Sequence, residues 1–276
     1  MVDYHIHPDF SSDAQGRIAD YCRYAEQIGI KELCFTTHYE PDPARAEIER
    51  VMVAGQAVSV DSDWVSIYLE EIENARQEFP ELAIGAGVEV GYELGLEGKI
   101  ADFLNRYRFD YVLGAVHCLD HIAITSNHEL IDFRRHLRPR GPEFIAQRYF
   151  EYVRAAAGSQ LFDCLAHLDI WRKYIVPEVG THFLTYIEPK IDLMLECIAR
   201  SGTGLEINCS ALRRGEQEPY PKSEIIARAI KLGVTVFTIG SDAHRVEDLG
   251  NGVKQGLQLL SSFGLAPTRF KNRQRY

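Results

Sequence analysis

The sequence predicts an α/β protein folded as a single closed or nearly closed β/α barrel. Three observations carry this. Short apolar runs alternate with longer helical patterns seven times over 276 residues, and strands alternating with helices make a parallel sheet. No repeat, low-complexity stretch or linker divides the chain, and one such barrel holds about 250 residues. No glycine-rich dinucleotide fingerprint follows the first strand, where Ser11-Ser12-Asp13-Ala14-Gln15-Gly16 stands instead. An open doubly wound sheet is the alternative architecture.

The first strand is Val2–His7. Arg17–Gly29 follows as a helix, with Ile18, Tyr21, Cys22, Ala25 and Ile28 on one stripe and Gly29 as the stop. Glu32–His38 is the second strand. Asp61–Phe79 is a helix capped by Asp61 or Ser62, with Trp64, Ile67, Tyr68, Ile72 and Ala75 on its apolar face. Leu82–Glu89 is the third strand, Gly95–Tyr107 a short helix and Tyr111–His117 the fourth strand. Pro142–Ala157 starts with proline in the first turn and stops at Gly158. Phe162–His167 is the fifth strand. A helix runs from about Thr185 to Ser201, with Pro189 marking its first turn or a boundary. Leu205–Asn208 is the sixth strand, Pro221–Leu232 a helix, Thr235–Gly240 the seventh strand and Asp248–Phe263 the last helix. The polar tail FKNRQRY reads as frayed.

Lys plus Arg is 30 against 40 for Asp plus Glu, a formal charge of −10. That argues against a broad nucleic-acid surface, but leaves room for a narrow basic pocket. No window reads as a membrane span, and the start MVDYHIHPDF lacks the basic, apolar pattern of a signal peptide. The six cysteines (Cys22, Cys34, Cys118, Cys164, Cys197 and Cys209) form no CxxC pair. They read as free thiols of a cytoplasmic protein.

The histidines carry the functional signal. His5 and His7 are two apart, on one face of the first strand. His38, Glu89, His117 and His167 end the second to fifth strands. Asp242 and His244 follow the seventh. Only the sixth ends otherwise, in Asn208. Any one of these reads most simply as a structural residue, but together they converge. Barrel active sites gather at the carboxyl ends of the strands. Imidazoles with carboxylates suit zinc, manganese, iron or cobalt without any thiolate. So many donors exceed what one ion takes, which implies two or three divalent ions, with Glu89 as the natural bridge. His121, His128, His136 and His182 lie in loops or helix starts and read as solvated or capping residues, His121 being also a weak candidate for substrate contact.

These positions resemble the polymerase-and-histidinol-phosphatase (PHP) superfamily. The motifs are Asp3-Tyr4-His5-Ile6-His7 with Asp13; Thr36-Thr37-His38; Gly87-Val88-Glu89-Val90; Gly114-Ala115-Val116-His117; Ala166-His167-Leu168-Asp169; and Gly240-Ser241-Asp242-Ala243-His244. The resemblance implies one PHP metallohydrolase domain over residues 1–276, a distorted (β/α)7 TIM-like barrel with a trinuclear centre. One ion would take His5, His7, Glu89 and Asp242, a second Glu89, His117 and His167, and a third Asp13, His38 and His244. Within the superfamily the stand-alone histidinol-phosphate phosphatases are most similar. The stretch Leu205–Arg213 and Glu218-Pro219-Tyr220-Pro221 match theirs. Cys118 departs from the usual aromatic residue, and Gly91 from a common Asp.

The implied reaction is hydrolysis of a small phosphate monoester, L-histidinol phosphate first, to the alcohol and phosphate in histidine biosynthesis. A metal-bridging hydroxide would attack, with Glu89 at the bridge. Cationic groups would neutralise the phosphate oxygens, and Asp242 or His244 would protonate the leaving group. Arg213 is the first phosphate clamp to consider, then Arg172, Lys173 and Arg214. Asn208 joins them as a substrate-side candidate. The arginine-rich run Arg134–Arg140, in the long loop before Pro142, reads as a basic lid or equally as a solvated charge run. The partner is a small phosphorylated metabolite, with no nucleic acid and no membrane. The sequence is silent on oligomeric state. Rival readings are a PHP phosphodiesterase or nuclease, a non-catalytic metal-stabilised scaffold, and a metal-dependent amide hydrolase. The last usually wants a carbamylated lysine where Glu89 stands.

Overall fold

Seven parallel strands form one sheet in the order β1 (Val2–Ile6), β2 (Glu32–Tyr39), β3 (Ala83–Gly91), β4 (Tyr111–Ala115), β5 (Cys164–Leu165), β6 (Gly204–Asn208) and β7 (Phe237–Gly240). The structure, a computed structural model, describes residues 1–276. The two outer strands meet through a parallel bridge between Ile6 and Ala243, and His7 N donates to Ala243 O at 2.8 Å. The sheet is thereby nearly closed into a barrel. The strands are short apolar runs because both faces are buried, one by helices and one by the barrel interior.

Helices cover the outside: α1 (Ile18–Ile28), α2 (Trp64–Glu78), α3 (Glu97–Arg106), α4 (Pro142–Ser159), α5 (Trp171–Val179), α6 (Phe183–Ser201), α7 (Ser223–Lys231) and α8 (Val253–Ser262). Each buries one stripe. In α1 that stripe is Ile18, Tyr21, Cys22 and Ala25, and Gly29 ends the helix at φ 76°, in the left-handed region that glycine tolerates. The N-cap position of α2 is Asp63, not Asp61 or Ser62. Pro189 lies inside α6, because Phe183 and Ile187 extend its buried stripe a turn earlier than the sequence indicates. No helix is long and apolar enough to cross a membrane.

Register sets the site. Strands β2 and β3 pair from Glu32 opposite Ala83 to Tyr39 opposite Val90, so His38 faces Glu89. Glu89 is also opposite Leu113 of β4. The last residues of adjacent strands therefore crowd onto one rim.

Three features differ from the sequence reading. Arg50–Val53 and Gln56–Ser59 form an antiparallel hairpin in the segment before α2. Its two-residue turn is Ala54-Gly55, both at positive φ, as a tight hairpin turn requires. Helix α5 fills the gap after β5. The tail is not frayed: Phe270–Lys271 pairs with Gln274–Arg275 across the amino ends of the strands. Phe270 is buried among Val2, Tyr4, Tyr111 and Cys164 inside the barrel, and Arg273 Nε donates to Asp163 at 3.1 Å. Burying one phenyl ring outweighs the polarity of its neighbours.

Candidate active site

All nine proposed metal donors meet at the carboxyl ends of the strands. Glu89 is at the centre, almost fully buried. Its Oε2 lies 3.2 Å from His5 Nε2, 3.4 Å from His7 Nε2 and 3.0 Å from His38 Nδ1. Its Oε1 lies 3.4 Å from His117 Nε2 and 3.3 Å from His167 Nε2. One carboxylate thus serves two groups of rings, one per oxygen. Asp242 Oδ1 is 3.7 Å from both His5 Nε2 and His7 Nε2, and 3.4 Å from His244 Nδ1. Asp13 faces the other side, 3.9 Å from His38 Nε2 and 3.3 Å from His244 Nε2.

The rings are aimed by groups behind them. Glu206 Oε1 is 2.5 Å from His5 Nδ1, Ser11 Oγ is 3.3 Å from His7 Nδ1, and Glu40 Oε1 is 2.6 Å from His117 Nδ1. A proton on Nδ1 turns the Nε2 lone pair inward. Asn208 donates to Glu206 Oε2 at 3.1 Å and to Asp242 Oδ2 at 3.2 Å. His167 and Asp242 hold positive φ values of 30° and 55°. For residues with a Cβ this backbone is strained, and such strain gathers at functional sites.

These donors fit divalent cations on three counts. Glu89 Oε1 and His167 Nδ1 are buried without a hydrogen-bond partner, a costly state for polar atoms. His5 Nε2 and His7 Nε2 face each other at 2.8 Å, which leaves two lone pairs opposed unless one ring takes a proton or a cation lies beside them. Two donors about 2.1 Å from one tetrahedral ion stand roughly 3.4 Å apart, close to the spacings around Glu89.

The electrostatics agree. Burial alone would push the Glu89 carboxyl up, yet His5 and His117 hold it well below the usual range. Asp13 is lowered against its burial by His38 and His244, and Asp242 by His5 and His244. Burial and the neighbouring His38, His244 and His5 hold His7 well below its usual value, so it is neutral. Burial opposes charge on His5 and His38, but Glu206 and Glu89 raise the first, and Asp13 and Glu89 raise the second, to about 9. Without metal, His5 and His38 gather protons as the cations that these carboxylates demand. Ionised carboxylates and neutral imidazoles are the states a metal needs.

A cavity of about 470 Å³ opens above the donors. Asp13, His38, Glu89, His117, His167, Asp242 and His244 line it, with His5 and His7 beneath. Lys173, Tyr174, Arg213 and Arg214 also line it, as do Glu40, Arg45 and Glu49. Burial and the nearby Arg214 and Arg213 push the Lys173 ammonium down to about 8.

Several substrate-side expectations change. Arg172 does not line the cavity: its Nη2 donates to Pro219 O at 2.7 Å, and its guanidinium lies 4.4 Å from the Tyr220 ring centre. Arg213 reaches the cavity but spends Nη1 and Nη2 on Ser241 O at 2.9 Å and Asp242 O at 3.1 Å. It holds the Asp242 loop. Asn208 is fully buried behind the carboxylates. His121 is outside the cavity, in the tight turn Asp120-His121, with Nδ1 2.7 Å from Asp42 Oδ2. His128, read as solvated, lines the cavity with Thr125, Ser126 and Asn127. So the long loop does border the site, through residues other than its arginines. Arg134 pairs with Glu178 at 2.7 Å, and Arg140 packs 3.5 Å from the Phe144 ring centre. Glu40, Glu206 and Ser11 escaped the sequence reading as ring-aiming groups. Cys118 lines the cavity and forms no disulfide.

The profile of the PHP domain matches residues 3–210. The chain belongs to the PHP domain family. A probable histidinol-phosphatase of Deinococcus radiodurans is 25% identical over 280 aligned positions, covering 99% of this chain and 98% of the relative. A histidinol-phosphatase of Lactococcus lactis is 24% identical over 245 positions, covering 88% of this chain and 84% of its own. Among solved structures, the Lactococcus lactis histidinol phosphate phosphatase complexed with zinc, L-histidinol and phosphate superposes with a TM-score of 0.80 at 20% identity. That match covers 100% of this chain and 98% of the other. The PHP fold found here is the seven-strand, nearly closed barrel described above.

Proposed function

We propose that this PHP domain is a metal-dependent phosphomonoesterase that hydrolyses L-histidinol phosphate to L-histidinol and phosphate. The observation that carries the reading is the set of nine donors around Glu89, at the floor of a cavity whose wall bears Lys173 and Arg214. The substrate comes from the relatives, which are named as histidinol-phosphatases and span nearly the whole chain.

The residues present would hold two or three divalent ions. His5, His7, Glu89 and Asp242 would take one, Glu89, His117 and His167 a second, and Asp13, His38 and His244 a third. Zinc is the ion named with the Lactococcus lactis structure, and the same donors accept manganese or iron. Bound ions of this kind supply a water acidic enough to attack at neutral pH and draw charge from the phosphate oxygens. The chain's own groups do the rest. Lys173 and Arg214 contact the phosphate, and Arg213 fixes the loop that carries Asp242. The leaving oxygen needs a proton, and Asp242 or His244, adjacent donors that both line the cavity, would supply it. The cavity is roomy enough for a small metabolite, within the ~300–1,000 Å³ usual for such sites.

The test is phosphate release from a panel of monoesters, nucleotides and oligonucleotides. The expected result is preferred turnover of L-histidinol phosphate, lost on chelation and regained with metal. Preferred cleavage of a phosphodiester, or metal content without any turnover, would overturn the reading.

A further inference from the structure

We infer that Glu40 is the positioning residue for His117, and that position 91 is glycine because the Glu40 carboxylate occupies the space a side chain there would need. This rests on the proposed role of His117 as a metal donor. Three observations carry it.

First, Glu40 is the residue after β2, and Gly91 ends β3. The pairing of Tyr39 with Val90 brings the two positions side by side. Second, Gly91 has no positive φ, so its backbone would accept any L residue. The obstacle is steric: a Cβ built on Gly91 falls onto the Glu40 carboxylate, against Oε2 and Cδ. Third, the other oxygen of that carboxylate, Oε1, is 2.6 Å from His117 Nδ1, while His117 Nε2 points at Glu89.

The chemistry follows from the two ring nitrogens. A donor imidazole must be neutral and must present one lone pair. Nδ1–H donating to Glu40 Oε1 fixes the tautomer that presents Nε2 to the cluster, and the carboxylate makes that nitrogen more basic. His5 receives the same support from Glu206. His117 depends on a residue 77 positions earlier in the chain, whose carboxylate lies where a side chain at position 91 would stand.

Zinc affinity, read by competition with a chromophoric chelator on the full chain, tests this without any phosphate substrate. Glu40→Ala is expected to weaken zinc binding by roughly ten- to a hundredfold. Gly91→Ala should do the same although Gly91 touches no donor, because its methyl group displaces the carboxylate. Glu40→Ala/Gly91→Asp returns a carboxylate to the same space and should recover most of the loss. Glu40→Gln keeps the volume and one acceptor oxygen. It should fall between wild type and Glu40→Ala, and it keeps the test open if the alanine variant does not fold. Melting curves identify which variants are folded.

The inference is overturned if folded Glu40→Ala, or Glu40→Gln, binds zinc as tightly as wild type. It is also overturned if the folded double variant is no better than Glu40→Ala. Wild type that binds zinc but releases no phosphate would count against the proposed function and leave this inference standing.

Discussion

The two ends of the barrel solve opposite problems. At the amino ends of the strands, Tyr4, Tyr111, Cys164 and Phe270 make an apolar plug, and the polar groups around it are paired. Phe270 N donates to Tyr4 Oη at 3.0 Å, Tyr4 donates to Glu32, and Glu32 also meets Arg269 at 3.1 Å and Tyr276 Oη at 2.9 Å. At the carboxyl ends, Glu89 Oε1 and His167 Nδ1 are buried and unpaired, and two residues hold strained backbone. The first end is complete as it stands. The second gathers clusters of side chains that could hold cations. Conserving stability and building a site are thus separated by the length of a strand.

The largest effect is expected at Glu89. Glu89→Ala removes the shared carboxylate, and kcat/KM should fall by at least about a thousandfold, about 4 kcal/mol of transition-state stabilisation. The melting temperature of the metal-free variant should change little, because removing a buried carboxylate with one unpaired oxygen offsets the loss of its charge contacts with His5 and His117. A large loss of stability instead would place Glu89 with the structural end.

Phe270→Ala is the mirror experiment. It should cost about 3 kcal/mol of stability, a drop of roughly 6–12 °C in Tm, with kcat of the folded enzyme unchanged. A tail that contributes nothing would leave the melting curve where it was.

Smaller effects sharpen the upper end. Lys173→Ala should raise KM about tenfold, about 1.4 kcal/mol, and leave metal content untouched. Burial and Arg214 lower the Lys173 ammonium to about 8, so it is charged below that pH and neutral above it. KM should therefore climb as pH rises through about 8, and Lys173→Arg, charged throughout, should abolish the climb. Smallest of all, Arg134→Ala and Arg135→Ala should change kcat/KM by less than about twofold, since surface pairs contribute little. A large loss would restore the lid.

Much of this was legible in the sequence, for identifiable reasons. Apart from Asp13, which lies in the loop before α1, the proposed donors from His5 to His167 lie at or just beyond strand ends, and strand ends in a β/α chain fall on one rim whatever the exact register. The motifs that resemble PHP proteins lie on those same ends. Residues that act at long range were not legible. Glu206 serves His5 from 201 positions away; its stretch Leu205–Arg213 resembles the family, but nothing local says which ring it aims. Arg172 reads as a clamp because it follows His167 closely, but at the start of α5 its side chain turns to Tyr220 and Pro219. The tail reads as frayed because five of its seven residues are polar or charged, and one buried ring decides otherwise. The hairpin Arg50–Val53/Gln56–Ser59 is short, and its turn contains an alanine at positive φ, which sequence rules do not anticipate.

On the proposed reading, the carboxyl end of this barrel is a cation-dependent phosphomonoesterase site. The most direct measurement follows phosphate release from L-histidinol phosphate by one preparation taken through three states: as loaded with zinc or manganese, after chelation, and after reloading. The account expects turnover, its loss with the metal, and its return, with Glu89→Ala silent throughout. Turnover that survives complete removal of metal, or a fully loaded protein that leaves the substrate intact, would contradict it.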